Sequence, residues 1–331
     1  MGWIRNVSMM NPRIPGSEMI AGPDDAGRRL DRVLRVVLKD KALSEIYTAL
    51  RKGGIRVNGT KSVPERRLDE GDRIFLPASL WIAAKDSMHN IVKEDLGQIA
   101  DILILATSDL LFVNKPRGEL CQGPDGLEGR IRRAISDRMA ASLSFVPGPL
   151  HRLDRNTTGI ITFPHSAIGA RGFTAMLRQR RVVKRYLALV DGKVSTPEEW
   201  RDRIGRDNQT MTSDVTENGD QAHSEMSPLL NFGGHSLILI HLHSGLTHQI
   251  RVQASSRGLP LSGDAKYGGR PFEGGYILHA LSLEFPEPPF PDTPRLVTAP
   301  LPIDAYNRLE AIFGEEALRS AFDLAWKAIG R

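Results

Sequence analysis

His151-Arg152-Leu153-Asp154-Arg155-Asn156-Thr157-Thr158-Gly159 runs directly into Ile160-Ile161-Thr162-Phe163. A loop crowded with charge therefore leads into an apolar run of the kind that fills a buried strand. Asp154 stands between two arginines, beside a histidine and two threonine hydroxyls. Neighbouring cations favour the ionised carboxylate, which suits a nucleophile better than a general acid. On spacing alone an Asp154–Arg155 surface ion pair, worth ~0–1 kcal/mol, is an equally open reading.

Composition limits what can surround this loop. The chain has 331 residues, 40% hydrophobic and 25% charged, enough for two domains with a sizeable core. No run approaches the ~18 apolar residues of a membrane span, and Met1 to Ile20 lacks the apolar core of a secretory signal. A cytoplasmic protein with no membrane role is expected. One cysteine, Cys121, excludes an internal disulfide framework and a multi-cysteine zinc site, and is read as incidental. The net charge of +5 and pI of about 9.4 suit a polyanionic partner, although a modest basic excess also serves solubility.

Residues 1–22 are polar and interrupted by Pro12, Pro15, Gly16 and Gly22, which predicts a disordered tail. From there to about residue 80 a small α+β unit is expected. Leu30, Val33, Leu34, Val37 and Leu38 mark one helix face, with Arg28, Arg29, Arg32, Arg35 and Lys39 on the other. A second helix from Ser44 to about Arg51 ends at Gly53-Gly54, and Asn58-Gly59 predicts a hairpin turn. The arginines could track RNA phosphates, while a charge run of this kind is more often only a solvated surface. Residues 81–98 show no period and are read as a linker.

A larger domain, 99–331, follows. Ile102 to Leu105 and Leu110 to Asn114 suit a hairpin, and a helix is expected over 126–142, with Arg138 on its exposed side. Ser166 can cap a helix to Arg178, after which Arg178, Arg180, Arg181, Lys184 and Arg185 form the densest basic cluster, close to the Asp154 loop. Val182 to Val190 is a strand. His241, His243 and His248 raise a metal-site reading, which is set aside because no carboxylate or cysteine near them completes a ligand set. Asp304 to Ile329 is expected to be helical.

HRLDRNTTG resembles the HRLDRxTSG motif of the RluA family of RNA pseudouridine synthases, with Thr158 in place of the usual serine. Further family-like elements follow in order: Lys115-Pro116-Arg117-Gly118, Lys184-Arg185-Tyr186-Leu187-Ala188, Leu246-Thr247-His248-Gln249-Ile250-Arg251, Gly263-Asp264-Ala265-Lys266-Tyr267-Gly268 and Leu278-His279-Ala280. Leu246 replaces the arginine that opens the GRTHQIR-like element, and Glu119-Leu120-Cys121-Gln122 departs from the usual continuation of its loop. The helix pair with Ile55-Arg56-Val57-Asn58-Gly59 and Leu68-Asp69-Glu70-Gly71-Asp72 resembles an S4 RNA-binding domain.

The resemblance implies an α+β fold, a synthase domain with a mixed, largely antiparallel sheet preceded by the S4-like unit. It implies isomerisation of uridine to pseudouridine in structured RNA, most directly large-subunit (23S) ribosomal RNA, with no metal, nucleotide or redox cofactor. Asp154 becomes the nucleophile, Arg251 its partner and Tyr186 the residue that stacks on the base and takes part in proton transfer. Arg152, Arg155, Thr157, Lys184, Arg185, His248 and Gln249 become the substrate-binding candidates. Arg28, Arg29, Arg32, Arg178, Arg180 and Arg181 become the RNA-binding candidates, and a monomer is the default. Transfer RNA as substrate, and a non-catalytic RNA-binding protein, are the alternatives. A glycosidase-like hydrolase needs a second carboxylate, which the motifs lack.

Overall fold

The computed structural model describes residues 17–80, 95–136, 142–207 and 212–330. The chain divides into two compact units, Met1–Glu94 with Ile135–Val146, and Asp95–Ala134 with Pro147–Arg331.

In the first unit, helix α1 (Leu30–Val37) forms where Leu30, Val33, Leu34 and Val37 give a single apolar face, and all four are buried. Helix α2 (Leu43–Arg51) brings Ile46 and Leu50 to the same core. The sheet they cover is antiparallel, with strands β1 (Ser17–Ile20), β2 (Arg56–Val57), β3 (Thr60–Lys61) and β4 (Arg73–Leu76) in the order β1-β4-β2-β3. β1 lies inside the stretch expected as a tail. Buried Met19 pairs with Ile74, and one apolar residue in a polar run is too little alternation to predict a strand. Asn58 and Gly59 turn β2 into β3 with φ of 52° and 77°, the two positive values such a hairpin requires.

Residues 142–146 belong with this unit. The fully buried Asp25 carboxylate accepts from the Leu143 N–H at 2.8 Å, the Ser142 hydroxyl at 3.0 Å and the Ser144 hydroxyl. The helix expected over 126–142 is shorter, Leu127–Ala134 (α3), and belongs to the second unit. Arg138 lies outside the described residues, as does most of the expected linker, while Leu96–Ile99 make a 3₁₀ turn.

The second unit is built on a ten-stranded sheet. Its strands are β5 (Leu103–Ala106), β6 (Leu110–Lys115), β7 (Thr158–Pro164), β8 (Val183–Asp191), β9 (Glu198–Asp207), β10 (Thr212–Val215), β11 (Asp220–Phe232), β12 (His235–Leu242), β13 (Leu278–Glu284) and β14 (Leu296–Thr298). The order is β10-β9-β11-β12-β8-β13-β7-β6-β5, with β14 added to β13. Every pairing is antiparallel except β13 with β7, so the sheet is mixed and largely antiparallel as expected.

Alternation along β8 decides where chemistry can sit. Leu187 and Leu189 face helices α6 (Ile303–Phe313) and α7 (Glu315–Ala328), packing with Leu309, Leu318 and Ala321. Tyr186 and Ala188 therefore face the other way. The single closing helix expected over 304–329 is two, because Gly314 (φ 79°) breaks it. The other face of the sheet receives helix α4 (Ala167–Arg178), capped by the Ser166 hydroxyl accepting from Gly169 N–H, and helix α5 (Gln249–Ser256).

Candidate active site

The loop carrying Asp154 is held on both sides of that residue. Leu153 exchanges two contacts with Cys121, donating its N–H to Sγ (3.3 Å) and accepting from the thiol (3.1 Å). Lys115, fully buried at the end of β6, donates to the carbonyls of Pro116, Glu119 and Arg155, each at 2.8 Å. Burial pulls its ammonium down to about 8, with the charges of Cys121, Glu119 and Asp154 opposing. Three carbonyl acceptors are what such a desolvated cation requires.

Downstream, the loop enters β7 through a contact that only glycine permits. Gly159 has φ of 109°, and a Cβ there would come within 2.3 Å of the Ala280 carbonyl oxygen on β13. The Thr158 hydroxyl lies 2.8 Å from His279 Nδ1, while His279 Nε2 lies 3.1 Å from the Ala299 carbonyl. A proton on Nε2 and the threonine hydroxyl donating to Nδ1 satisfy both bonds. Serine and threonine serve equally in that role.

Arg251, on α5, reaches Asp154. Its Nη1 lies 3.3 Å from Asp154 Oδ2, while Nε and Nη2 hold both oxygens of Asp264 at 2.6 and 2.8 Å. The guanidinium carbon is 4.8 Å from the ring centres of both Tyr267 and Tyr276, each such contact adding about 0.5–2 kcal/mol. Burial works against its charge, but the hydrogen bonds and charge of Asp264, with Tyr276 and Asp154 adding, hold its pKa above the usual arginine value. The Asp264 carboxylate thus fixes the cation that faces Asp154.

His248, in the left-handed region at φ 57°, places Nε2 3.8 Å from Asp154 Oδ2. Its Nδ1 lies 2.7 Å from the Tyr267 hydroxyl, which accepts from Ser213 N–H. With that hydroxyl donating to Nδ1, the neutral imidazole points an Nε2–H at Asp154. Burial lowers its pKa against the opposing charge of Asp154.

Tyr186 lines the same cleft from β8, together with Lys184, His151, Arg152 and Thr157. The cleft measures about 430 Å³. Burial pushes the Tyr186 phenol well above its ordinary value, and the negative charge of Asp154 adds to the shift. Lys184 is drawn down to about 8 by burial and by Arg180. The His151 imidazole is pushed down to about 3 by burial, with Lys184 adding, and its Nε2 accepts from Thr162 N–H. His151 and Tyr186 are thus uncharged at neutral pH, while Arg152, Arg178, Arg180 and Lys184 bring cations to the same cleft.

The remaining candidates divide. Arg178 and Arg180 line the cleft, and Arg155 lines an adjoining hollow with its Nε donating to the Gly118 carbonyl. Arg181 pairs with Glu287, and Arg185 pairs with Glu284 at 2.7 Å on the other sheet face. Gln249 is buried with both ends of its amide engaged by protein, accepting from Ser244 and Leu246 and donating to Ser224 and the His223 carbonyl. Arg28, Arg29 and Arg32 lie in the first unit, where Arg28 donates to the Ser144 carbonyl, Arg29 binds Asp31 and Glu65, and Arg32 is exposed.

Sequence reasoning gave Lys115 no role beyond its family-like element, read Cys121 as incidental and passed over Tyr276. Their partners lie far away along the chain, and nothing local distinguishes a lysine that clips a loop from one in solvent. Leu246, the departure from the family-like pattern, packs against Ile204, Ala222, Val252 and Tyr267.

Comparison with known proteins agrees with this geometry. The profile of a family described as RNA pseudouridylate synthase matches residues 109–256. The ribosomal large subunit pseudouridine synthase C of Salmonella typhi is 28% identical over 325 residues, covering 92% of this chain and 99% of that protein. Its namesake in Vibrio vulnificus is 30% identical over 295 residues, covering 84% and 90%. Among solved structures, human RNA pseudouridylate synthase domain containing 4 superposes with a TM-score of 0.53 at 19% identity, covering 65% of this chain and 94% of that one, a likeness of fold.

Proposed function

The chain belongs to the RluA-type family of RNA pseudouridine synthases, and from that premise we propose that it converts uridines of large-subunit (23S) ribosomal RNA to pseudouridine with Asp154 as nucleophile. The observation that carries the assignment of residues is Arg251, held by Asp264 between two tyrosines, with its free nitrogen directed at Asp154. A cation fixed in this way keeps the carboxylate oriented toward the cleft without collapsing onto it.

The reaction breaks the bond between N1 of the base and C1′ of the ribose, N1 leaving with the bonding pair, turns the uracil, and joins C5 to C1′; the C5 proton is lost and N1 takes up a proton from solvent. Asp154 attacks C1′ or stabilises the cation left as the base departs. Tyr186 lies under the base, and its raised pKa keeps it a phenol. A neutral phenol accepts the C5 proton only by passing on its own, and Asp154, freed when the new bond forms, is the acceptor lining the same cleft. The target uridine must leave its stack to enter, which costs a few kcal/mol. Arg152, Arg178, Arg180 and Lys184 at the cleft supply phosphate contacts that offset this cost, and the first unit, with its S4-like order of elements, adds more through Arg28 and Arg32. The protein acts as a monomer in the cytoplasm. Among the described residues no helix is long and apolar enough to cross a membrane.

Carbodiimide mapping of pseudouridine in ribosomal and transfer RNA, from cells lacking the gene and from cells complemented with wild type or Asp154→Ala, tests this reading. Reverse-transcription stops in large-subunit RNA should vanish on deletion and return only with wild type. Stops that change in transfer RNA alone, or that return with the variant, overturn it.

A further inference from the structure

A second cluster of chemically capable side chains borders the Asp154 cleft, to whose lining His243 belongs. On β11 and β12 the register sets His223 opposite His243, which directly follows β12, and pairs Glu225 with His241. Side chains two apart on a strand share a face, so these four form a square on one side of the sheet. It is the side turned from α5, because the intervening Ala222 and Ser224 pack on Val252 and bond to Gln253.

Within the square, Glu225 lies between two imidazoles. Its Oε1 is 2.8 Å from His243 Nε2 and its Oε2 3.5 Å from His241 Nδ1. The His223 and His243 rings stack at 4.1 Å with 9° between their planes, and His241 lies 3.9 Å from His243. Glu199 on β9 brings a second carboxylate, 2.7 Å from His223 Nε2. The ligating atoms of His223, Glu225 and His243 fall within 4.8 Å of one another.

We propose that His223, Glu225 and His243, with His241 as fourth donor, form a binding site for a divalent transition metal of the zinc class. Imidazole and carboxylate donors in this ratio suit Zn²⁺ and its late first-row neighbours rather than Mg²⁺ or Ca²⁺, which require mostly oxygen ligands. Donors about 2.0–2.2 Å from a four-coordinate zinc lie roughly 3.4 Å apart. The donors, up to 4.8 Å apart, must close by about 1.4 Å, and the His223 imidazole must turn out of its stack on His243 and leave Glu199 so that both rings point at one ion, while Glu225, whose side chain is 52% exposed, is free to follow. The metal reading of the sequence was set aside for want of a carboxylate near the histidines. Strand pairing supplies Glu225 and His223, while His248 turns away to the Asp154 cleft.

The test is calorimetric titration of Zn²⁺ alone into the full chain after chelator treatment and desalting, at pH 7.5 and at pH 5.5. One equivalent should bind at pH 7.5 and more weakly at pH 5.5, where protons compete for the imidazoles. His223→Gln and His243→Gln should each weaken binding at least about ten-fold with unchanged far-ultraviolet circular dichroism, and Asp154→Asn should bind as wild type. Absence of binding at submillimolar zinc, or undiminished binding by the His223→Gln/His243→Gln double variant, overturns the proposal.

Discussion

Replacing Asp264 by asparagine removes one charge from the centre of the site while keeping its shape. The Asp264 side chain is 2% exposed and that of Arg251 7%, so water cannot take the place of the missing charge. Breaking a buried ion pair by deleting one partner costs about 3–5 kcal/mol, of which the remaining amide oxygen returns a part. A loss of about 3 kcal/mol is expected, or roughly 6–12 °C in melting temperature for a unit of this size. The guanidinium then has Asp154, at 3.3 Å, as its remaining carboxylate partner and shifts toward it. Misplacement of a reacting group by about an ångström costs about a hundred-fold in rate, so kcat should fall by that factor with KM little changed. Differential scanning fluorimetry reads the first effect and single-turnover tritium release from C5-labelled RNA the second. The double variant Asp264→Leu/Arg251→Met, which puts apolar side chains in place of the pair, should regain most of the stability and none of the activity. An Asp264→Asn protein with wild-type melting and wild-type turnover refutes the reasoning.

Gly159→Ala should destabilise by about 3 kcal/mol or more in urea, since positive φ strain and the clash with Ala280 add; a loss below 1 kcal/mol would show that the strand entry relaxes. Lys184 titrates at about 8 in the folded protein against 10.5 ordinarily, so the native state holds this proton less tightly than the unfolded chain. Its contribution is most favourable above the unfolded value and is lost as pH falls through about 8. Lys184→Met should therefore raise stability at pH 7 and change little near pH 10.5. RNA affinity measured by anisotropy should fall as pH rises through 8 in wild type and less so in Lys184→Met. Leu246→Arg removes an apolar side chain from its cluster at a cost of about 1–3 kcal/mol, and it should steepen the dependence of log affinity on log salt by about one, read by anisotropy across salt concentrations.

What the sequence revealed depended on how local the determinant was. The face of α1, the Asn58-Gly59 turn and the Ser166 cap are set by residues within one or two turns of each other, and the reading matched the structure at each. The ordered motifs named Asp154, Tyr186 and Arg251, and the structure brings all three to one cleft. Determinants that depend on register or on distant partners were not visible. β1 needs β4 to be a strand, Asp25 needs 142–144 to be satisfied, and Lys115 needs the Arg155 carbonyl. The same limit applies to His223 and Glu225, which meet His243 and His241 only because β11 lies beside β12.

The central claim is that the Asp154 carboxylate carries out a uridine isomerisation. Tritium release from C5-labelled large-subunit ribosomal RNA by purified wild type and by Asp154→Asn, at matched RNA occupancy, tests it most directly. The account predicts stoichiometric release by wild type and none by the variant, which should bind the RNA as tightly. Release by Asp154→Asn at a rate within ten-fold of wild type would contradict it.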